Sequence, residues 1–376
     1  MTQRSSRSAP ADLSNTEGGP AEGPPTPQRT TAAPSAVVRR RVLFVALVLL
    51  PVAGLLVSLG WGSVSIGPGQ IVGIILDRAG LSSGIEYTQQ QNVVLWNIRL
   101  PRVLMGALVG AALALAGAAL QVSFRNQLAD PTLLGVSGAA TVGVVLAHMT
   151  KAISLGRWAL PLFAVAGAVV AVVWLIRFSR RHGRSDRFTL ILAGVALQLF
   201  LAGVVTLLVN AFRTPGMPDA TALTLGGLTG IFWRDVALTA PLVLVVAVLL
   251  WRLAPVLNIL LLDEGTSQAL GVNVGGVRMY VGVLAAVATG LVVAYSGTVA
   301  FVGLVVPFVL RLLIGDDHRF LVPAAVLGGA ALITFGDAAA RNLIAPMELP
   351  LGVLMTVIGG PLFFWLIGRG RAVGRW

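Results

Sequence analysis

The side chains that could carry chemistry are few in this sequence and lie far apart. The histidines His148, His182 and His318 fall in three different segments without HExxH spacing, so they predict no zinc-protease site. Ser137 stands in Gly-Val-Ser-Gly-Ala-Ala, which lacks the second glycine of a nucleophile elbow. The chain has no cysteine, so a thiolate metal site and a cysteine nucleophile are excluded. The pattern argues against catalysis and predicts no metal or cofactor bound by this chain.

The single lysine bears on whether the chain hydrolyses ATP. Lys151 stands between Thr150 and Ala152. A phosphate-binding loop needs Gly-Lys followed by Ser or Thr, because the lysine must reach the terminal phosphates. The sequence therefore predicts no ATPase activity, and the energy for any transport must come from a partner or an ion gradient.

Arginines are the remaining residues with clear binding chemistry. Arg99 and Arg102 belong to the sequence Arg-Leu-Pro-Arg, and Arg341 follows a late apolar segment. The planar guanidinium keeps its charge and binds carboxylates bidentately. These arginines could equally be anchors at a membrane surface, and Arg341 could pair with Asp337 one helical turn earlier.

Composition defines the class of protein that must position these arginines. Of 376 residues, 56% are hydrophobic and 11% are charged, and the mean hydropathy is +0.87. A soluble protein of this length could not bury so much apolar surface, so the chain is predicted to be an integral membrane protein. The net charge of +12 comes from arginines at the ends of apolar runs, where they act as topology signals rather than as a nucleic-acid surface.

Uncharged runs predict about ten membrane crossings. The run 279–310 would make a helix of about 48 Å, which exceeds a hydrocarbon core of about 30 Å, and Ser296-Gly297-Thr298 interrupts it. We therefore interpret it as two short crossings. The runs are 42–60, 103–124, 131–150, 158–176, 188–212, 236–251, 279–310, 320–336 and 349–368.

The distribution of arginines predicts the topology. Residues 39–41, the loop 177–187 and the tail after 368 are rich in arginine, and ten crossings place all three on the inner side. Both termini are then cytoplasmic, and Arg99, Arg102 and Arg341 lie at the outer surface. Residues 1–38, rich in Pro, Ser, Thr and Gly, are predicted to form a disordered cytoplasmic tail, followed by a transmembrane domain over 39–376.

Several motifs occur in a recognisable order along the chain. They are RLPR, GAALALAGAALQ, RNQLADP and LLGVSGAA near the start, and SGTVAFVGLVVPFVLR, GDDHR, GDAAAR and ELPLGVLMTVIGGPLF near the end. Together they resemble the FecCD-type permeases of iron–siderophore and vitamin B12 importers. The resemblance implies an all-α permease of the type II ABC importer class. It also implies a second permease subunit, a pair of cytoplasmic ATPase subunits that bind ATP and Mg²⁺, and an extracytoplasmic substrate-binding protein. In this family the corresponding arginines, here Arg99, Arg102 and Arg341, grip glutamates on the two lobes of the binding protein.

The resemblance also assigns roles on the inner side. The loop 256–276 is similar to paired short helices that sit in a cleft of the ATPase, and the residues expected to couple the two are Glu264, Gly265, Ala269, Leu270 and Gly271. An amphipathic surface helix between two spans is the alternative interpretation of this loop. Arg187 and Phe188 resemble the region that closes the inner end of the pathway.

The resemblance implies a chelate as cargo, and the lack of ligating side chains in the apolar runs agrees with this. They offer almost no carboxylate or imidazole ligands for bare iron, which favours a bulky cargo that carries its own ligands. The prediction is import of a ferric siderophore across the cytoplasmic membrane, with cobalamin or haem as alternatives. An ion-driven secondary transporter remains a further alternative, because the two crossings within 279–310 resemble interrupted carrier helices, although intramembrane acidic relays are lacking.

Overall fold

The computed structural model describes the backbone of residues 34–62, 64–181, 187–212, 217–344 and 347–373. Side chains are described within 42–62, 64–179, 191–212, 217–344 and 347–365. Most of the predicted tail, residues 1–33, lies outside these ranges. Backbone contacts divide the chain into residues 1–39 and 40–376, and the second unit contains the apolar core.

The regular structure in the described ranges is helical throughout. A π-helix, Val94–Arg99, leads directly into α4, and a short 3₁₀-helix, Ala152–Leu155, precedes α6. The α-helices are α1 (Pro34–Gly60), α2 (Pro68–Arg78), α3 (Gln89–Val93), α4 (Leu100–Ser123), α5 (Val136–Met149), α6 (Ala159–Arg181), α7 (Arg187–Ala211), α8 (Ala220–Leu225), α9 (Trp233–Arg252), α10 (Ala254–Leu260), α11 (Glu264–Ala269), α12 (Val274–Ser296), α13 (Val302–Ile314), α14 (His318–Asn342) and α15 (Leu351–Val373).

The predicted all-α membrane fold is confirmed. Among the described residues, seven helices are long and apolar enough to cross a membrane, and three shorter apolar helices, α5, α13 and the described part of α15, accompany them. Together these ten apolar helices agree with the predicted number of about ten crossings. The predicted interruption at Ser296-Gly297-Thr298 is also confirmed, because α12 ends at Ser296 and α13 begins at Val302.

Three boundaries differ from the sequence prediction. Helix α1 begins at Pro34, inside the predicted tail, because proline at a first helical position loses no intrahelical hydrogen bond. The run 131–150 becomes helical only at Val136, after a turn. The two parts of 279–310 are unequal, since α12 has 23 residues and only α13, with 13 residues, is short.

Helix α4 forms the centre of the core, and glycines allow its neighbours to approach closely. A Cβ atom on Gly110 would lie 1.9 Å from the carbonyl oxygen of Gly329 in α14. A Cβ atom on Gly117 would lie 1.9 Å from the carbonyl oxygen of Gly303 in α13. This direct backbone contact at glycines fixes α4 against α13 and α14 without intervening side chains.

The chain turns between α12 and α13, and a proline interrupts the hydrogen bonding of α13 itself. Gly297 and Phe301 both have positive φ angles, +62° and +67°, so the chain turns sharply between the helices. Inside α13, Pro307 cannot donate to the carbonyl of Gly303, and the Nε2 of Gln121 in α4 donates to that oxygen instead at 3.0 Å. The carbonyl oxygen that Pro307 leaves without a helical donor is therefore hydrogen-bonded to α4.

Candidate docking surface and coupling loop

Arg102, in the first turn of α4, binds two carboxylates from the C-terminal third of the chain. Its Nη2 lies 2.9 Å from Oδ1 of Asp337 in α14, and its Nε also faces both oxygens of that carboxylate. Its Nη1 lies 3.0 Å from Oε2 of Glu348, which precedes α15. Glu348 is 46% exposed, whereas Asp337 is 3% exposed. Arg102 therefore has one buried and one accessible acidic partner.

Arg341 shares the buried carboxylate with Arg102. Its Nε lies 3.1 Å from Oδ2 of Asp337, four residues earlier in α14. Its Nη2 donates to the carbonyl oxygen of Ser58 near the end of α1, at 3.0 Å, and to the hydroxyl of the same serine. The pairing of Arg341 with Asp337, one of the two interpretations open from the sequence, is present, and it joins α14 to α1.

Arg99, the last residue of the π-helix, is buried. It is 4% exposed, and its Nη1 and Nη2 donate to the carbonyl oxygens of Leu59 and Val64 at 2.7 and 2.6 Å. Gly62 makes room for this guanidinium, since a Cβ atom there would lie 2.5 Å from Nη2. In this conformation Arg99 holds the connection between α1 and α2 and presents no open face to another protein.

A small apolar cluster supports this end of the molecule. It contains the end of α1, helix α2, the π-helix and the first residues of α4, with buried side chains Leu59, Ile66, Ile71, Ile74, Leu95, Leu100 and Val103. Asp77 closes the loop after α2 by accepting from the amide of Ser83 at 2.8 Å and from the hydroxyl of Tyr87 at 2.7 Å. These bonds lower the pKa of Asp77. The sequence prediction missed this cluster, because only Leu59 and Val103 fall within predicted runs and the other buried residues lie between those runs.

The three arginines thus meet at one end of the fold, and we name Arg99, Arg102, Asp337, Arg341 and Glu348 the arginine cluster. Arg102 and Arg341 pair with the two carboxylates, and Arg99 bonds only carbonyl oxygens, so the cluster carries one net positive charge. Because Arg102 is 12% exposed and Arg341 is 9% exposed, a ligand would meet mainly Arg102 and Glu348. The arrangement can bind an incoming carboxylate at Arg102 by exchange with Glu348.

The predicted coupling loop contains two short helices, α10 and α11. Asp263 caps α11, since its Oδ2 accepts from the amide of Thr266 at 2.9 Å. The hydroxyl of Thr266 also donates to Oδ1 at 2.6 Å, and this bond, followed by the amide bond, lowers the pKa of Asp263. Ser267 is fully buried, and its hydroxyl lies 2.9 Å from the carbonyl oxygens of both Ile259 in α10 and Asp263, to which it donates. The two helices are thereby locked together as one unit.

The predicted coupling residues lie on the exposed surface of this unit. Leu270 is 59% exposed and Glu264 lies 3.5 Å from Arg278, at the start of α12. Gly271 ends the unit with a φ angle of +81°, which favours glycine. Gly265 and Ala269 lie in α11 between these residues. The exposed apolar tip, completed by Leu261 and Leu262, is suited to insertion into a cleft.

The loop lies at the end of α4 opposite to the arginine cluster. Arg102 is in the first turn of α4, and Arg125 follows its last turn with a φ angle of +48°. The Nη2 of Arg125 donates to the carbonyl oxygen of Leu262 at 2.6 Å. Of the predicted inner gate, Arg187 begins α7, but the side chains of Arg187 and Phe188 lie outside the described ones.

Known proteins match most of this chain. The model of the FecCD transport family matches residues 49–369. The vitamin B12 import system permease protein BtuC of Escherichia coli O9:H4 (strain HS) is 38% identical over 294 residues, which is 77% of this chain and 88% of that protein. BtuC of Shigella boydii serotype 18 gives the same identity and coverage.

A solved structure is similar over nearly the same length. It is described as an inward-facing conformation of a metal-chelate type ABC transporter, and it is 30% identical with a TM-score of 0.71. The match covers 88% of this chain and 99% of that chain. With the family match and the relatives at 38% identity, the chain belongs to the FecCD transport family.

Proposed function

We propose that this chain is the cytoplasmic-membrane permease subunit through which an ATP-driven importer moves a metal chelate, with a ferric siderophore as the first candidate cargo. The coarse class rests on family membership: the chain is an ABC importer permease and not itself the ATPase. The observation that carries the proposal is the placement of the arginine cluster and the exposed α10–α11 unit at opposite ends of α4. A cargo-delivering protein and an energy-supplying protein would need such separate contact points.

The outer contact in this proposal is made by the arginine cluster. A carboxylate on a substrate-binding protein would approach Arg102 from the accessible side and replace Glu348, while buried Asp337 keeps the guanidinium oriented. Arg341, which is more buried than Arg102, would add to the positive potential that attracts this carboxylate. Arg99 was also predicted to dock the binding protein, and we assign it the supporting task of holding the Leu59–Val64 segment around the cluster.

The inner contact is the α10–α11 unit. Its helices are short, mutually hydrogen-bonded and tipped with leucines, so it would move as a body when the ATPase closes around it. The ATPase pair supplies ATP and Mg²⁺ binding. A second permease subunit, identical or related, would enclose the cargo pathway together with this chain, and alternating access of the pair would carry cargo inward.

Cobalamin is the second candidate cargo. It is supported by the relatives at 38% identity, which are vitamin B12 permeases. The solved neighbour at 30% identity is described only as a metal-chelate type transporter, which fits either cargo. Both candidates are bulky and bring their own metal ligands, which suits a pathway poor in ligating side chains.

Two measurements test this proposal. In the first, the tagged chain is purified in mild detergent from its native membranes and the co-purifying proteins are identified; an ATPase subunit is expected, and repeated recovery of the intact chain alone would favour an ion-driven carrier. In the second, cells with and without the gene are compared for uptake of radiolabelled cobalamin and of ferric siderophores. Loss of siderophore uptake alone supports the first cargo, and loss of cobalamin uptake alone replaces it with the second.

A further inference from the structure

Asn258 of α10 connects the coupling unit to the beginning of α14. Its Nδ2 donates to Oδ1 of Asp317 at 2.7 Å, and its Oδ1 accepts from the backbone amide of His318 at 2.9 Å. The Nδ1 of the His318 ring lies 2.9 Å from the same oxygen, and His318 is fully buried. One amide side chain therefore bonds three groups at the start of α14. We call this set, Asn258 with Asp317 and His318, the α10–α14 latch.

A second contact reinforces the attachment at Arg319, the next residue of α14. Pro323 has no amide hydrogen, so the carbonyl oxygen of Arg319 lacks its usual helical donor. The Nε1 of Trp251, next to the end of α9, donates to that oxygen at 3.2 Å. Two side chains from the α9–α10 segment are thus bonded to the N-cap and first turn of α14.

Helix α14 then extends from the latch to the arginine cluster. Its 25 residues correspond to a length of about 38 Å, and Asp337 and Arg341 lie in its last two turns. Midway, Gly329 is in direct backbone contact with Gly110 of α4. Since α4 also joins Arg102 at one end to Arg125 at the other, the two helices form a pair in contact with both functional ends.

We propose that Asn258 is a positioning residue that transmits the state of the outer arginine cluster to the coupling unit through α14, and the reverse. This inference rests on the proposed importer function. The signal would pass from the cluster along the α4–α14 pair, through the latch, to α10 and α11. Among the common side chains, an amide suits the position because it donates to Asp317 and accepts from His318 at the same time.

An exchange of two residues tests the latch chemically. Asn258→Asp places a carboxylate against Asp317 and should break the latch by like-charge repulsion. Adding Asp317→Asn restores an amide–carboxylate pair, because asparagine at 317 can donate to position 258 and still cap Arg319 as Asp317 does. Asn210→Ala is the matched control, since among the described residues the Nδ2 of Asn210 donates within α7, to the carbonyl oxygen of Thr206 at 2.8 Å.

The first readout is ATP hydrolysis by the complex purified from native membranes, with and without the cargo-loaded binding protein. Asn258→Asp should reduce the stimulation by the binding protein about fivefold or more, and the double variant should recover most of it. Asn210→Ala should leave the stimulation unchanged. Undiminished stimulation in Asn258→Asp overturns the proposal, and so does a loss that Asp317→Asn does not repair.

The second readout does not require the ATPase. The amide of His318 lies in the first turn of α14, where no intrahelical acceptor exists, so its bond to Asn258 protects it from hydrogen exchange. Exchange in a peptide covering 314–322 should rise about 2- to 10-fold in Asn258→Asp and return in the double variant. Unchanged exchange overturns the latch itself. Absence of any ATPase from the wild-type preparation would instead refute the proposed function and leave this second readout to decide on the latch.

Discussion

Replacing Glu348 by glutamine should strengthen binding of the cargo-loaded binding protein. Glu348 is the accessible partner of Arg102: its Oε2 lies 3.0 Å from Nη1 and its side chain is 46% exposed. A docking carboxylate must displace it, while Asp337, 3% exposed, stays in place. Glutamine has nearly the same size and lacks the charge. Glu348→Gln therefore removes an internal competitor without removing the guanidinium.

The magnitude follows from the exposure of the pair. An exposed Arg–Glu pair contributes about 0.2–1 kcal/mol, because water and salt screen it. Freeing Arg102 of this partner should lower the Kd of the docked complex about 1.5- to 5-fold. The effect should shrink as salt is added, since the competing pair is itself screened.

Binding can be measured by interferometry with the chain in lipid nanodiscs and the loaded binding protein in solution, at low and at high salt. Glu86→Gln is the matched control: Glu86 is also exposed, lies between α2 and α3 at the same end of the molecule, and loses the same charge. Unchanged or weaker binding by Glu348→Gln, or equal strengthening by Glu86→Gln, would refute the exchange at Arg102.

Three further substitutions probe other parts of the molecule. Arg99→Lys should lower thermal stability by about 1–3 kcal/mol in detergent, because an ammonium cannot span both carbonyl oxygens; an unchanged melting temperature would contradict the supporting role of Arg99. Gly110→Ala should lower the free energy of unfolding by about 1–3 kcal/mol or more, because the added methyl group overpacks against Gly329. Gly203→Ala, in α7 with open space around it, is the control and should leave the melting temperature unchanged in the same assay. Gly271→Ala should strain the end of α11 by about 1–2 kcal/mol and reduce cargo uptake per ATP hydrolysed, and an unaltered ratio would remove Gly271 from the coupling mechanism.

The membrane-spanning pattern could be predicted from the sequence because apolar runs are a local property. Helix ends could not be predicted so well, because they depend on distant partners. Charge at Arg99 and Arg102 ended the predicted run at 103, yet helical structure continues back to Gln89. The reason is that carbonyl oxygens near the end of α1 satisfy Arg99, and a carboxylate of α14 satisfies Arg102. Neither partner can be read from the local pattern.

The same limit applies to the candidate sites. Asp337 and Arg341 lie one helical turn apart, so the spacing alone offered their pairing as one of two interpretations. Arg102 and Asp337 are separated by 235 positions, and Asn258 and Asp317 by 59, so only the packing of α4, α10 and α14 brings these pairs together. The role of the arginines came from family resemblance, which cannot reveal that Arg99 is buried.

Two of the proline-containing helices, α13 and α14, are bonded to a neighbouring helix at the carbonyl oxygen that the proline leaves free. A proline normally opens a hydrogen bond and allows a helix to bend. Here Gln121 of α4 bonds the carbonyl freed by Pro307, and Trp251 of α9 bonds the one freed by Pro323. Each potential bend is therefore fastened to a neighbouring helix. In contrast, 11% of the apolar stretch of α7 is buried within this chain, against 83% for the stretch 89–123 that contains α4. This difference in packing suits the proposed transmission along the α4–α14 pair, because a tightly packed pair resists internal deformation more than α7 does.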